Sequence, residues 1–146
     1  YSTADNKIIA ANKNDILIID DSLKIVSTIK NASQNAGITN GFNYLAVNGL
    51  GEIFATSDGG KDLVKFSADG KFLDRFKIKS TSIQDMAIDA KGRIFVAETS
   101  KIWIYQANGD LIDSFDSKQS FAIIFDEADE LIMASRPFIV KYSINQ

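Results

Sequence analysis

One pattern constrains this chain more than any other: a short apolar tetrad running down to a small residue comes round four times. It reads Ile8-Ile9-Ala10-Ala11, Ile53-Phe54-Ala55-Thr56, Ile94-Phe95-Val96-Ala97 and Leu131-Ile132-Met133-Ala134, with first residues 45, 41 and 37 positions apart. A mean step near 41 residues suits a four-stranded propeller blade, whose repeats run to about 40–45 residues. Such a unit is too thin to bury both of its faces by itself and needs a neighbour on either side.

The flanks repeat with the tetrad. Before it stand Tyr44-Leu45-Ala46-Val47, Asp85-Met86-Ala87-Ile88 and Ala122-Ile123-Ile124-Phe125, each leading into an Asx-rich or Gly-rich turn. After it stand Ile16-Leu17-Ile18-Ile19, Leu63-Val64-Lys65-Phe66, Ile102-Trp103-Ile104-Tyr105 and Ile139-Val140-Lys141-Tyr142. Asp69-Gly70 and Asn108-Gly109 then mark hairpins, and the fourth runs are Ile25 to Ile29, Phe72 to Phe76 and Leu111 to Phe115. Four short runs per unit, joined by tight turns, make an antiparallel meander.

Composition agrees. The runs are rich in Ile, Phe and Tyr and are cut by Gly or Asx before a helical face completes two turns, so the chain is all-β with helix content close to nil. The lone Pro137 falls in a connection, where its missing N–H breaks no ladder. Both pleat faces of the inner runs are apolar, which demands cover on both sides. Residues 31–40, rich in Ser, Asn and Gly, form the longest loop. With 146 residues and 16.0 kDa, the length is that of one domain burying roughly 70% of its unfolded surface. Residues 1–146 read as a single propeller segment with units at about 1–41 (partial), 42–81, 82–119 and 120–146 (partial).

The repeat resembles the NHL family of six-bladed propellers. The third unit carries the likeness in Asp89-Ala90-Lys91-Gly92-Arg93-Ile94-Phe95-Val96-Ala97-Glu98, Lys101 to Tyr105, Asn108-Gly109 and Phe115; the second carries it in Gly51 to Thr56, Asp62 to Phe66, Asp69-Gly70 and Phe76. Asn12 and Ser135 stand where the family tends to have Asp, and the Asn-His-Leu-like triplet is absent. The likeness implies a closed ring, which at six blades needs about 250 residues. The first unit holds at most Tyr1-Ser2-Thr3 as its opening strand, and the fourth stops at residues 143–146, before its outer strand. The expectation is therefore a segment of a larger ring or a processed product, with open blade faces and edges that tend to associate.

Residue chemistry narrows function. There is no Cys and no His, which removes thiolate catalysis, zinc–thiolate sites and the commonest general base and metal ligand. A net charge of −3 and a pI near 4.9 leave no basic field for nucleic acid. No apolar run is long enough for membrane insertion. The cluster Asp126, Glu127, Asp129 and Glu130 lacks the ligand alternation and central Gly of a calcium loop and reads as a turn. Residues 57–61 lack the strand-to-helix context of a phosphate cradle. Lys65, Lys71, Arg75, Lys77 and Lys79 interleave with Asp62, Asp69 and Asp74 and read as a solvated face. Trp103 and Tyr105 share a strand face with apolar counterparts in the other units, so they read as packing residues.

What remains is a binding scaffold whose loops offer one face to a protein, peptide or glycan, with no cofactor. Its candidate contact residues are Ser57, Asp58, Lys61, Glu98, Ser100 and Arg136. The remainder of its own ring is a further expected partner. The alternative is a metal-dependent lactonase-like hydrolase or a lyase, in which Asp85 and Glu98 hold calcium. The absence of His opposes a lyase and leaves only an all-oxygen site, which needs acidic residues at equivalent inner-strand positions of several blades. Glu98 serves equally well as an acceptor for loop N–H groups. A secreted, periplasmic or cell-surface setting is the expectation.

Overall fold

The computed structural model describes residues 6–144. The chain divides into two compact units, one ending at Lys77 and the other starting at Ile78. The first holds β1 (Ile8–Asn12), β2 (Asp15–Ile19), β3 (Ile25–Ile29), α1 (Ala32–Asn35), β4 (Tyr44–Val47), β5 (Ile53–Thr56), β6 (Asp62–Phe66) and β7 (Phe72–Lys77). The second holds β8 (Ile83–Ile88), β9 (Ile94–Glu98), β10 (Lys101–Tyr105), β11 (Leu111–Asp116), β12 (Ser120–Phe125), β13 (Leu131–Ser135) and β14 (Phe138–Tyr142). Every sheet is an antiparallel meander: β1-β2-β3 and β4-β5-β6-β7 in the first unit, β8-β9-β10-β11 and β12-β13-β14 in the second. This is the all-β architecture of a β-propeller segment. The expected opening strand at residues 1–3 lies outside the described residues.

Register makes the tetrads equivalent. Ile53 lies opposite Val47 and Phe66, Ile94 opposite Ile88 and Tyr105, Leu131 opposite Phe125 and Tyr142, and Ile8 opposite Ile19. Because side chains alternate across a strand, this register assigns each residue to one of two faces. In the first unit Ile9, Ile16 and Ile18 of β1–β2 pack with Val47, Ile53, Ala55, Val64 and Phe66 of β4–β6. In the second, the matching Phe95, Ile102 and Ile104 pack with Ile123, Leu131 and Met133, joined by the partly buried Phe125, Val140 and Tyr142. The same interface is thus built twice, position for position, from different side chains.

Among the described residues one turn recurs six times. A first residue donates its N–H to the carbonyl four positions on, and the residue three positions on donates back; Ser67 to Lys71 (2.9 Å) and Gly70 to Ser67 (2.9 Å) are an example, with like pairs starting at Asp20, Asn48, Asp89, Gln106 and Asp126. The fourth residue has positive φ and is Gly51, Gly70, Gly92 or Gly109, or else Leu23 or Asp129. This is a type I turn closed by a residue in the left-handed region, which matches the strand twist. Asx side chains lock it: Asp89 Oδ1 accepts from the N–H of Lys91 (3.0 Å) and Arg93 (2.8 Å). The Asp-Gly and Asn-Gly pairs therefore place Gly, and not Asx, at the strained position.

Two expectations need correction. The loop at 31–40 contains a single helical turn, α1, with Ala32 and Ser33 buried. Small residues there let the connection lie against the sheet, and Ala36, Ile38 and Phe42 join the core. The basic stretch is not merely solvated: Lys65 pairs with Glu52 (2.8 Å), and Arg75 (2.9 Å) and Lys77 (2.8 Å) both pair with Asp62. Arg136-Pro137, the cis peptide bond, occupies the two-residue link between β13 and β14.

Candidate functional site

Within each sheet the six repeated turns lie at one end, and the β5–β6, β9–β10 and β13–β14 loops lie at the other, beside the connections between sheets. The candidate contact residues all fall at this second end, three in each unit.

In the first unit the connection is tied down by backbone and by Arg75. Phe42 donates its N–H to Lys13 O (2.6 Å), Ser33 to Asn14 O (3.1 Å) and Asn43 to Thr56 O (3.0 Å). Arg75 Nη1 donates to the carbonyls of Ala36 (3.3 Å) and Gly37 (3.1 Å) at the end of α1, while its Nη2 donates to Asp62 Oδ2 (2.9 Å). The Arg75 guanidinium, with Lys77, holds the Asp62 carboxyl below its ordinary range. Ser57 is buried, whereas Asp58 and Lys61 are exposed. Ser57 O accepts from Gly60 N (3.0 Å), and a Cβ on Gly60 would sit 2.5 Å from Ser57 Oγ, so only Gly fits this tight loop. The loop thus turns Ser57 inward and presents Asp58 and Lys61. Asp58 is anchored through its N–H to Asn43 Oδ1 (2.9 Å).

In the second unit Glu98 is the organiser. Its Oε1 accepts from Ser80 Oγ (2.9 Å) and the N–H groups of Thr81 (2.7 Å) and Ser82 (3.3 Å), and its Oε2 accepts from Trp103 Nε1 (3.0 Å). Burial pushes this carboxyl up, but the Thr81 N–H, the Trp103 indole and the Ser80 hydroxyl outweigh it and hold it below the usual range. The ring of Trp103, half-buried, has Lys101 Nζ at 5.3 Å and Lys79 Nζ at 6.0 Å. Tyr105 is buried, and its hydroxyl oxygen accepts from Lys79 N–H (2.9 Å). Ser100 is exposed, and its carbonyl accepts from Ser117 N–H (2.9 Å). Buried Ser120 donates its hydroxyl to Glu98 O, and buried Ser135 donates to Lys118 O. Arg136 is exposed over the Phe121 ring at 5.2 Å. These serines, of which the sequence singled out Ser135 only as a departure from the family pattern and Ser120 not at all, pin one connection to the next loop. Their only signal is a small hydroxyl residue recurring at strand ends.

Asp85 serves the sheets instead. Its Oδ2 accepts from Ile123 N–H (2.9 Å) and its Oδ1 from Met86 N–H (2.8 Å), linking β8 to β12. Burial raises its pKa, and the two N–H groups oppose this only in part. Asp85 and Glu98 thus answer to different partners, and among the described residues no three His, Cys, Asp or Glu side chains are grouped to hold a metal. At the opposite end, Lys141 Nζ sits on Asp126 Oδ2 (2.8 Å) and on Glu130, so an ammonium occupies the position a cation would take in that acidic turn. Among the described residues no helix is long and apolar enough to cross a membrane.

No family model and no curated protein matches this chain. Solved structures do: 530 chains resemble it, so the fold is widely shared and does not by itself assign chemistry. Among them, a structure of streptogramin B lyase, a β-propeller, superposes on 98% of this chain with a TM-score of 0.68 at 19% identity. This chain spans 53% of that one. The likeness establishes the propeller fold.

Proposed function

We propose that the chain is a non-catalytic scaffold, a segment of an NHL-like ring whose connection-end loops bind a protein, peptide or glycan. The observation that carries this reading is the use of Glu98: all four of its contacts are donors from its own unit, so this acid builds the platform there. Asp85 is likewise occupied by two backbone N–H groups. In the second unit this leaves Ser100 and Arg136 exposed; in the first, Asp58 and Lys61 are exposed on the loop that Gly60 closes. Polar and charged side chains on braced loops suit recognition by hydrogen bonds and single charges. Residual ring neighbours are the second class of partner.

The competing reading, a metal-dependent hydrolase or lyase, draws on the coarse likeness to a propeller enzyme. It needs Asp85 and Glu98 to give up the N–H and indole donors they now accept from. Peptide and glycan arrays probed with the chain, with Asp58→Ala/Lys61→Ala and Ser100→Ala/Arg136→Ala as comparisons, test the first reading. Selective binding lost in one of these variants supports it. Stoichiometric calcium on elemental analysis, lost in Asp85→Asn or Glu98→Gln, overturns it.

A further inference from the structure

The sequence holds three Asn-Gly pairs, at 40–41, 48–49 and 108–109. Asn is a labile residue, most of all before Gly, where no side chain shields its amide carbon from the next backbone nitrogen. The repeated turn arms one pair and disarms another. Asn48 is the first residue of its turn: its Oδ1 accepts from the N–H groups of Leu50 (3.0 Å) and Glu52 (3.0 Å), and its Nδ2 donates to Glu52 Oε2 (2.8 Å), which fixes the amide's orientation. The two N–H groups stand where negative charge collects when Cγ is attacked, the arrangement of an oxyanion hole. Gly49 is exposed, its φ lies outside the left-handed region, and a Cβ on it would meet nothing within 4 Å. Among the described residues its N–H has no acceptor. In the Asn108 pair the Gly is instead the fourth residue of its turn. Gly109 N–H is committed to Gln106 O (3.0 Å), and Asn108 Oδ1 has a single N–H donor, that of Asp110 (3.1 Å). Gly41 is buried, and a Cβ there would lie 2.6 Å from Lys13 O, so the backbone at Asn40 has no room to rearrange.

An aspartate at position 48 would fit a pattern the fold already uses. Asp126 stands at the place of Asn48, Glu130 at that of Glu52 and Lys141 at that of Lys65. Asp126 Oδ1 accepts from the N–H groups of Ala128 (2.9 Å) and Glu130 (3.0 Å), just as Asn48 Oδ1 accepts in its own turn, and Lys141 Nζ bridges Asp126 and Glu130. Asp20 and Asp89 hold their turns by the same pair of bonds. Lys65 Nζ already sits on Glu52 Oε1 (2.8 Å).

We infer that Asn48-Gly49 is a self-modification site at which water converts the asparagine to aspartate, completing in the first unit the acid–lysine–acid clasp of the second. Gly49 N loses its proton to solvent and bonds to Asn48 Cγ. The Cγ–Nδ2 bond then breaks, the amide nitrogen leaves as ammonia with a proton from solvent, and a five-membered imide remains. Water opens the imide at Cγ, breaking the new bond and returning a proton to Gly49 N. One water is consumed, one ammonia is released, nothing is oxidised or reduced, and the turn gains one negative charge. The site lies at the turn end of its sheet, so the inference is independent of what the loops at the other end bind.

The whole chain, held at mildly alkaline pH and digested at intervals for mass spectrometry, tests this. In the folded chain Asn48 should convert at least about tenfold faster than Asn40 and Asn108, and in urea, where the donors are gone, the three rates should converge. In oxygen-labelled water the product should take up one labelled oxygen and be chiefly regular aspartate. Gly49→Ala should melt as wild type does, because its Cβ has open space, yet convert at least about tenfold more slowly since the attacking nitrogen is now hindered. Asn48→Asp should melt no lower than wild type, and Lys65→Met should lower the melting temperature of Asn48→Asp more than that of wild type. Conversion of Asn48 no faster than that of Asn108 in the folded chain overturns the inference, as does the same preference for Asn48 persisting in urea. A product that is chiefly iso-aspartate, or a marked loss of stability in Asn48→Asp, overturns it equally, because neither product could complete the clasp.

Discussion

The two units solve one packing problem with the same positions and a second problem with opposite chemistry. Between sheets, Ile9, Ile16 and Ile18 against Ile53 and Val64 do in the first unit what Phe95, Ile102 and Ile104 against Leu131 and Met133 do in the second. At the connection end they diverge. The first unit's connection ends a helical turn and points carbonyls outward, and the cation Arg75 collects them. The second unit's connection points N–H groups at Glu98, and an anion collects them. The orphan groups of the backbone decide the charge of the residue that braces them.

The largest test of the shared interface is truncation at matched positions. Phe95→Ala should remove about 3–5 kcal/mol and Ile9→Ala about 2–5 kcal/mol, since each opens a cavity the fixed register cannot close. Urea titration gives the totals, and amide exchange locates each loss in its own unit. A loss below about 1 kcal/mol at either position would break the equivalence.

Next is the bracing anion. Glu98→Ala strands the Thr81 and Ser82 N–H groups, the Ser80 hydroxyl and the Trp103 indole, at about 3 kcal/mol or more. Glu98→Gln keeps an acceptor but turns an NH₂ group toward one of these donors, so an intermediate loss is expected. Protection of Thr81 and Ser82 against exchange should fall in both variants, with Ser33 in the first unit unaffected.

Acidification separates the same group from its neighbour Asp85. The Glu98 carboxyl is held below its unfolded value, so its stabilisation is full above the unfolded pKa and is lost as pH falls through the folded one. Asp85 has the opposite sign: its pKa is raised, so ionisation penalises the folded state above that value and the penalty lifts on acidification. Asp85→Asn should therefore flatten the upper part of the acid profile, and Glu98→Gln the lower part. Denaturant midpoints measured from neutral pH downward decide this, and identical profiles for both variants would refute the assignment.

Much of this was legible in the sequence, and for one reason. Sheet register is set by a period of two, so the tetrads and their flanks specified the meander, the tight turns and the apolar faces before any coordinate. Which polar group meets which was not legible. Glu98 was read equally as a metal ligand and as an N–H acceptor, because the deciding donors at 80–82 lie a whole β-hairpin away in sequence. Ser57 looked like a surface residue because nothing local shows that Gly60 folds the loop over it. Arg75 read as one charge among several, since the helix carbonyls it binds lie 38 and 39 residues earlier.

The bracing cation should matter less than the anion. Arg75→Ala should lower stability by less than Glu98→Ala does, since the Arg75 side chain is 38% exposed, and the effect should shrink with added salt. Arg75→Lys should not restore it, because one ammonium cannot reach two carbonyls and a carboxylate as a planar fork does. Salt sensitivity equal to that of Glu98→Ala would erase the distinction between the two braces.

The smallest effects concern the repeated turn, where each unit has one member without Gly. Leu23 holds φ at 61° with a side chain that gains nothing there, so Leu23→Gly should relieve part of a left-handed penalty of about 1–2 kcal/mol. Glycine's greater freedom in the unfolded chain returns about 0.5–1 kcal/mol, leaving a net gain below about 1 kcal/mol. Asp129 holds φ at 58° at the matching place in the second unit, yet its Oδ1 accepts from Ala90 N–H at 2.8 Å. Asp129→Gly relieves the same strain and forfeits that bond, worth about 0.5–1.5 kcal/mol, so it should be close to neutral. Paired thermal melts of the two variants against wild type measure the difference. A Leu23→Gly melt no higher than that of Asp129→Gly would show that the turn, and not the side chain's partner, sets the energy.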